Sequence, residues 1–162
     1  MRDNYYDTAQ ICLNGHVINS FALSSPESNQ KHCAECGVPT ITACVDCKSL
    51  IRGYYHVAGV FAADHYHKPS YCYDCGKPYP WTKASLDAAQ ELTDELEQLN
   101  AEERQQLKDS LPDLLKDTPR TAVAELRFKK LMKKAGAEAF NAMRSILIDI
   151  VSEAVRKSVF GS

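Results

Sequence analysis

The spacing of the cysteines constrains the fold of this chain more than any other feature. Six of its seven cysteines form three pairs, each with two residues between the partners. This spacing lets two thiolates on a tight turn face one metal ion. The seventh cysteine has a histidine four residues after it, so there are eight candidate ligands, enough for two tetrahedral sites. These ligands are Cys12, His16, Cys33, Cys36, Cys44, Cys47, Cys72 and Cys75.

The eight ligands can be divided between two ions in more than one way. If the two middle cysteine pairs shared an ion, only GVPTITA would join them, and the outer pairs would have to meet across the whole module. In the simpler, sequential grouping, Cys12 and His16 bind one ion together with Cys33 and Cys36. The second ion is bound by the remaining four ligands, Cys44, Cys47, Cys72 and Cys75. We favour this grouping, in which a strand of β-branched residues at 40–42 leads from one site to the next.

Zinc is the metal that these ligands favour, and we expect two Zn²⁺ ions. Sulfur-rich tetrahedral sites suit zinc or iron, so an iron–sulfur cluster is the minor alternative. A redox role for a cysteine pair would require a thioredoxin-like βαβ context, which the surrounding sequence lacks. A catalytic zinc keeps one position open for water, whereas four protein ligands close a site. The sequence therefore predicts two structural sites.

Four more histidines are present, at His32, His56, His65 and His67. His32 could replace His16 as a ligand, but it directly precedes Cys33 and is ranked lower for that reason. His65 and His67 flank a tyrosine and resemble a metal-binding pair, although a solvated turn is an equally good interpretation.

The sequence has no motif of an enzyme. It contains no phosphate-binding glycine loop, no HExxH and no Ser/His/Asp pattern. We therefore predict a non-catalytic protein without a small-molecule substrate. An enzyme whose site is completed by another chain is a third, weaker hypothesis.

Composition divides the chain near GKPYPWTKAS. All cysteines, tyrosines and the tryptophan lie before residue 84, and Ala, Leu, Glu, Lys and Gln dominate after it. We predict a small α+β protein, with a double zinc ribbon of short β-hairpins at residues 1–83 and an all-α segment at residues 84–162. The sequence contains no apolar run of about 18 residues, the length that a membrane-spanning helix requires. The polar start MRDNYYDTAQ does not resemble a secretion signal. A reducing, cytoplasmic location is the expectation.

Four helices are predicted in the second segment. The first covers residues 84–99, and the second follows an Asn100 cap and is interrupted or restarted at Pro112. The third begins at Thr118-Pro119 and runs to about residue 134, where Gly136 either ends it or lies within it. The last is an amphipathic helix at about 137–159.

The apolar stripe of the last helix needs a partner surface. Its residues are Phe140, Met143, Leu147, Ile150 and Ala154. Packing on the preceding helices, self-association into an oligomer and binding to a membrane surface are the alternatives, in that order.

Charge is segregated in the helical segment. Residues 84–117 hold ten acidic and three basic residues, whereas residues 118–134 hold six basic residues and one acidic residue. An acidic helix pair could pack against a basic helix, or the basic face could bind an anionic partner. The candidate partner-binding residues are Arg120, Arg127, Lys129, Lys130, Phe140, Leu147 and Ile150.

Nucleic-acid binding is an alternative function, in which an accessory or regulatory factor would use aromatic residues of the zinc ribbons and the basic helix at residues 120–134. Residues 1–83 carry seven basic and seven acidic residues, and seven thiolates outweigh the charge of two Zn²⁺ ions. This acidic balance disfavours nonspecific binding to phosphates. Exposed aromatic side chains could still stack on bases, although filling a sparse core explains them more simply. They are Tyr54, Tyr55, Tyr66, Tyr71 and Tyr73.

Four strings, ICLNGHVIN, CAECGVPTITACVDCKSLIRGYYH, YCYDCGKPYPWT and KDTPRTAVAELRFKKLMKKAG, extend the pattern over nearly the whole chain. With them the chain resembles a family of bacterial proteins known as a domain of unknown function with an N-terminal zinc ribbon. The resemblance implies the eight metal ligands, with one departure at Val45, where such turns often have proline. The family carries no established activity. The leading hypothesis is thus a structural zinc protein that acts as an interaction or assembly module, through a protein partner or self-association.

Overall fold

A computed structural model describes residues 3–61 and 65–161 of the chain. Within these ranges, five short β-strands precede five α-helices. The predicted small α+β fold, with antiparallel strands first and helices after them, is confirmed. The chain divides into two compact units, Met1–Thr82 and Lys83–Ser162.

The strands of the N-terminal unit form two small antiparallel sheets. The strands are β1 Tyr5–Thr8, β2 Gln10–Cys12, β3 Val17–Asn19, β4 Thr40–Ile41 and β5 Arg52–His56. β1 pairs with β5, and β2 lies between β3 and β4. The predicted strand at 40–42 is present as β4, where Thr40 pairs with Cys12. The candidate ligand Cys12 and the strand β4, which follows the Cys33/Cys36 pair and precedes the Cys44/Cys47 pair, therefore belong to one sheet.

A buried carboxylate ties the N-terminal unit together. Asp7 of β1 accepts hydrogen bonds from the backbone N–H groups of Thr8 (2.7 Å) and Leu23 (2.9 Å). The Ser24 hydroxyl (2.6 Å) and Nε2 of His56 (3.0 Å) also contact it. Burial acts to raise the pKa of Asp7, but these hydrogen bonds outweigh burial and lower that pKa. The carboxylate thus links β1, β5 and the loop after β3.

The aromatic pair Tyr79 and Trp81 forms part of the core near the first ligand turn. The two rings stack with centroids 4.6 Å apart, and the indole N–H of Trp81 donates to the Pro69 carbonyl (3.0 Å). Gly15 lies directly against this pair with φ +92°, and a Cβ there would be 2.8 Å from Cβ of Trp81. Only glycine fits this turn.

The five helices are α1 Pro80–Asp94, α2 Ala101–Leu114, α3 Pro119–Ala135, α4 Ala137–Leu147 and α5 Glu153–Phe160. The predicted first helix at 84–99 is misplaced, since α1 begins at Pro80 and ends at Asp94. Leu96 and Leu99 follow the helix in a turn, yet they are buried. Their apolar spacing therefore reflects burial of the turn and not continuation of the helix.

The helix starts follow the predicted capping signals. The Asn100 side chain accepts from the Glu103 backbone, and the Glu103 side chain accepts from the Asn100 backbone, each at 2.9 Å. Thr118 caps α3, with proline at the first helical position. Pro112 does not interrupt α2 but lies inside its last turn. Gly136, at φ 103° and ψ 169°, ends α3 and precedes α4.

The prediction of one continuous helix at 137–159 is wrong, because two helices occupy that region. The Ser152 hydroxyl accepts from the Val155 backbone N–H (3.4 Å) and so starts a new helix. Arg156 donates through Nε to the Ile148 carbonyl (3.1 Å) at the end of α4. These two polar contacts satisfy one backbone N–H and one carbonyl among the groups that the break exposes.

Three residues of the predicted apolar stripe lie in the core of the C-terminal unit, whereas Phe140 is half-buried and Ala154 is exposed. Met143, Leu147 and Ile150 are buried, with at most 2 % of each residue exposed. Phe128 and Phe160 meet with ring centroids 5.8 Å apart. In the described ranges, no helix combines the length and apolar character that crossing a bilayer requires.

Candidate metal centres

Each Cys-x-x-Cys pair forms the same hydrogen-bonded turn. In the first turn, the Cys33 backbone N–H donates to the Val38 carbonyl (2.9 Å), and the Gly37 N–H donates to the Cys33 carbonyl (2.8 Å). Equivalent bonds join Cys44 to Ser49 and Lys48 to Cys44, and Cys72 to Lys77 and Gly76 to Cys72. A short antiparallel bridge closes each turn at its base. The backbone therefore directs both sulfurs of a pair to the same side.

The residue after the second cysteine has positive φ in all three turns. Gly37 (φ 76°) and Gly76 (φ 74°) adopt it without strain, but the third position is Lys48 (φ 68°). Its ammonium group donates to the Val45 carbonyl (3.0 Å). Lys48 is thus the one residue at this position in the three turns that is not glycine, and its side chain forms a hydrogen bond across its own turn.

The Cys12 turn brings a histidine where the others bring a second cysteine. The Cys12 N–H donates to the His16 carbonyl (3.0 Å), and the Gly15 N–H donates to the Cys12 carbonyl (2.9 Å). The two ligands are one residue further apart in the sequence than in the cysteine pairs, although the hydrogen-bonded turn itself is one residue shorter. The His16 backbone N–H also donates to Sγ of Cys12 (3.3 Å).

The first cluster consists of Cys12, His16, Cys33 and Cys36. Nδ1 of His16 lies 3.4 Å from Sγ of Cys12 and 3.5 Å from Sγ of Cys33. The sulfurs of Cys12 and Cys36 are 3.8 Å apart. All four ligand atoms lie within 4.8 Å of one another.

The second cluster consists of Cys44, Cys47, Cys72 and Cys75. Its sulfurs are 3.7 Å apart between Cys44 and Cys75 and 3.6 Å apart between Cys47 and Cys72. The structure therefore brings the eight predicted ligands together in the sequential grouping, with three sulfurs and an imidazole in one cluster and four sulfurs in the other.

The ligand separations have the size of a zinc tetrahedron. Zn–S bonds of about 2.3 Å give sulfur–sulfur edges of about 3.8 Å, and a Zn–N bond of about 2.0 Å gives sulfur–nitrogen edges of about 3.5 Å. Three sulfur–sulfur separations in the structure are 3.6–3.8 Å, and two sulfur–nitrogen separations are 3.4–3.5 Å. Both clusters could thus hold a metal ion with their four ligands in place.

Glu35 makes a contact to the first cluster that the sequence analysis missed. Its Oε2 lies 3.2 Å from Nε2 of His16, on the opposite edge of the ring from the sulfurs. Nδ1 faces the cluster, so the tautomer with its proton on Nε2 fits both contacts. A carboxylate placed in this way orients a ligating histidine and raises its basicity. The available signal was an acidic residue inside the Cys33–Cys36 turn.

The protonation of the thiols shows why a cation suits these clusters. The Val38 backbone N–H lowers the pKa of Cys36 to about 6. At Cys75 the Lys77 backbone N–H also acts to lower the pKa, but desolvation and the three neighbouring thiols raise it to about 12. Four thiolates at this separation repel one another. A divalent cation removes that repulsion and releases the protons.

The remaining histidines lie elsewhere. His32 is exposed and pairs in a β-bridge with Pro39, and His56 contacts Asp7. Among the described residues, His65 and His67 belong to neither metal cluster.

The predicted partner-binding residues divide into exposed and buried sets. Arg120, Arg127, Lys129 and Lys130 are exposed on α3, and Phe140 is half-buried on α4. Leu147 and Ile150 are instead buried in the core of the C-terminal unit. These two side chains lie inside the monomer fold, so the stripe they belong to packs on this unit's own helices.

A profile of the family described as "Uncharacterized protein conserved in bacteria (DUF2321)" matches residues 5–159. No curated protein and no solved structure gave a significant match.

Proposed function

The chain belongs to this bacterial family, and from that premise we propose that it is a structural zinc protein. Its N-terminal unit is a double zinc ribbon, and the whole chain acts as a non-catalytic interaction or assembly module. The observation that carries the proposal is the pair of four-ligand clusters. Seven thiol ligands would need a reducing compartment, so the proposal places the protein in the cytoplasm.

The donor sets support zinc as the metal. One cluster offers three sulfurs and an imidazole, and the other offers four sulfurs. Both sets are typical of structural zinc sites. The Cys12, His16, Cys33 and Cys36 set departs from the all-cysteine ligation that is usual for iron–sulfur clusters. The imidazole of His16 therefore favours zinc at that site.

The number of ligands supports a structural and not a catalytic role. A catalytic zinc has three protein ligands and a water, whereas each cluster here provides four ligand atoms within 4.8 Å. The core of the N-terminal unit is small for its length, with Ile11, Ile51, Tyr79 and Trp81 as its largest fully buried side chains. Metal binding would supply folding free energy that this core does not.

The C-terminal unit offers a surface for an acidic partner. A cleft of about 380 Å³ lies between α3 and α4, with Met132 and Phe140 in its wall and Lys129 and Lys133 beside them. In the described part of the chain, neither lysine makes an ion pair. By contrast, Lys134 contacts Glu103 (2.6 Å). An apolar cleft bordered by lysines favours an amphipathic segment with acidic residues.

Metal analysis tests the proposal directly. We expect two zinc atoms per chain by elemental analysis of protein purified without a tag that binds metal. The Cys36→Ser and Cys47→Ser variants should each lose about one equivalent, from different sites. Fewer than two equivalents in the wild type, or iron with a visible charge-transfer absorption, would overturn the assignment.

A capture experiment with the zinc-loaded chain tests the interaction role. The double variant Lys129→Glu/Lys133→Glu should lose proteins that the wild type retains from a bacterial lysate. Lys116→Glu, an exposed lysine outside the cleft, is the matched control and should retain them. Native mass spectrometry of the same samples would reveal self-association. Identical capture by all three proteins would contradict a partner site in the cleft.

One observation favours nucleic-acid binding as a second candidate function. Tyr55 and Tyr73, two of the predicted stacking residues, are exposed to 44 % and 55 %. Tyr54, Tyr66 and Tyr71 are only half-exposed and contribute to packing. The guanidinium of Arg52 lies over the Tyr73 ring, 4.0 Å from its centroid.

A further inference from the structure

A cleft of about 370 Å³ lies within the N-terminal unit, and its lining includes none of the eight candidate metal ligands. β1, β5 and the segment at 65–69 form its walls. Its lining includes Tyr6, Arg52, Tyr55, His65, Tyr66 and His67. The volume is within the range of small-molecule sites, about 300–1,000 Å³.

Two exposed tyrosines form an aromatic wall of the cleft. Tyr6 of β1 pairs directly with Tyr55 of β5, so both side chains lie on the same face of the two-stranded sheet. Their ring centroids are 4.6 Å apart, and the residues are exposed to 48 % and 44 %. Exposed tyrosine faces of this kind are platforms on which nucleobases stack.

Arg52 provides a positive charge beside these rings. Its guanidinium carbon lies 4.6 Å from the Tyr6 ring centroid and 4.0 Å from that of Tyr73. A guanidinium that contacts aromatic rings can still direct its N–H donors to an anionic oxygen. The stacking therefore preorganises a phosphate-binding group next to an aromatic surface.

The segment at residues 65–69 adds imidazoles to the cleft. His65 and His67 line it, and among the described lining residues none carries a carboxylate. The hydroxyl of Tyr66 donates to the Arg52 carbonyl (2.6 Å), which ties this wall to β5. The cleft thus combines flat aromatic faces with cationic and hydrogen-bonding groups.

We propose that this cleft binds a nucleobase that carries a phosphate, either as a free nucleotide or within a single strand. The base would stack on the exposed ring of Tyr55, and Arg52, which lies over Tyr6, would contact the phosphate. The inference rests on the second candidate function and gives it a site. It is independent of partner binding by the C-terminal unit.

The other face of the same sheet provides a matched control. Tyr5 stacks on His56 with centroids 4.5 Å apart, and Tyr54 and Phe21 pack around that histidine. Tyr5 is exposed to 38 %, similar to Tyr55, but it is absent from the cleft lining. A Tyr5→Ala variant removes an equivalent ring from the same sheet without changing the proposed site.

The test uses the full chain with its metal content and far-UV circular dichroism verified. Uridine monophosphate, adenosine monophosphate and ribose 5-phosphate are titrated at low salt and followed by backbone amide NMR shifts. A fluorescein-labelled ten-nucleotide single strand is followed by anisotropy.

We expect the nucleotides to shift the amides of Arg52, Tyr55 and Tyr66. Tyr55→Ala and Arg52→Gln should each weaken binding about tenfold, the loss of one stacked base or one charged contact. Tyr5→Ala should leave it within about twofold.

The variants distinguish the outcomes. Tyr55→Phe keeps the aromatic ring and should bind like the wild type. The comparison of Tyr55→Phe with Tyr55→Ala therefore still tests the stacking if Arg52→Gln folds poorly. Binding of free nucleotides supports a nucleotide site, and binding of the strand alone supports a nucleic-acid site. If the strand binds but only Lys129→Glu/Lys130→Glu weakens it, nucleic-acid binding stands and this cleft is excluded. No binding of any probe by a chain with two zinc atoms overturns the inference and leaves the zinc scaffold intact. Equal weakening by Tyr5→Ala also overturns it.

Discussion

His16 shows what a single side chain adds to a cysteine pattern. The spacing after Cys12 identifies it as a candidate ligand, but either ring nitrogen could bind a metal. In the structure Nδ1 faces the sulfurs of Cys12 and Cys33, and Nε2 contacts Glu35 (3.2 Å). A residue inside one turn thus orients the ligand of another. This relation depends on two segments meeting, and no local pattern contains it.

Replacing Glu35 by alanine should weaken metal binding at the first cluster alone. We expect a loss of about tenfold in zinc affinity, because an outer hydrogen bond to a ligating histidine contributes tenfold or more. Competition with a chromophoric chelator measures both sites in one titration, so the four-cysteine cluster is an internal control. Glu35→Gln should lose less than Glu35→Ala, because its amide oxygen can still accept from Nε2–H.

Glu27→Ala is the control at a second exposed carboxylate in the same unit, located in a short 3-10 turn. It should leave both affinities unchanged. Equal affinities of the wild type and Glu35→Ala would show that Glu35 does not position His16.

The helices show where local signals suffice at the scale of an element. The starts at Asn100 and Thr118 follow from capping residues, because a cap satisfies backbone groups within one turn. The break between α4 and α5 does not follow from periodicity. The apolar residues keep a helical spacing through it, while Ser152 and Arg156 provide the polar contacts on either side.

Gly136→Ala should destabilise the C-terminal unit by about 2 kcal/mol, since its φ and ψ lie in a region that essentially only glycine adopts. A Cβ at this position would have no neighbour within 4 Å, so the expected cost is conformational and not steric. Urea unfolding followed at 222 nm measures it. Glu138→Ala in the first turn of α4 should change stability by less than about 1 kcal/mol. An unchanged midpoint for Gly136→Ala would contradict the observed junction.

At the scale of the whole molecule, the two units differ in what stabilises them. The N-terminal unit has short strands, and all eight metal ligands belong to it. The C-terminal unit has a core of fully buried side chains such as Phe128, Met143 and Leu147. We therefore expect the first to depend on metal and the second on apolar burial.

Removal of metal should unfold the N-terminal unit and leave most helical signal in place. Trp81 is the one tryptophan of the chain and only 1 % exposed, packed against Gly15 of the first ligand turn. A strong chelator with a reductant should shift its fluorescence to longer wavelength, and added zinc should reverse the shift. Circular dichroism at 222 nm should retain most of its amplitude. Loss of that signal at the same chelator concentration would show that the helices also require metal.

The sequence by itself determined the eight candidate ligands and the capped helix starts, because each pair of ligands and each cap depends on residues within a few positions of one another, and its change of composition indicated the small α+β class. The sequential grouping was the simplest one for the chain, but only the tertiary structure brought Cys12 to Cys36 and Cys44 to Cys75. Tertiary structure also decided that Ile150 is buried inside the fold. Tertiary structure also brought Arg52 into contact with Tyr6. The two residues belong to strands that are distant in the chain, and such strands meet only where hydrogen bonding and burial act together.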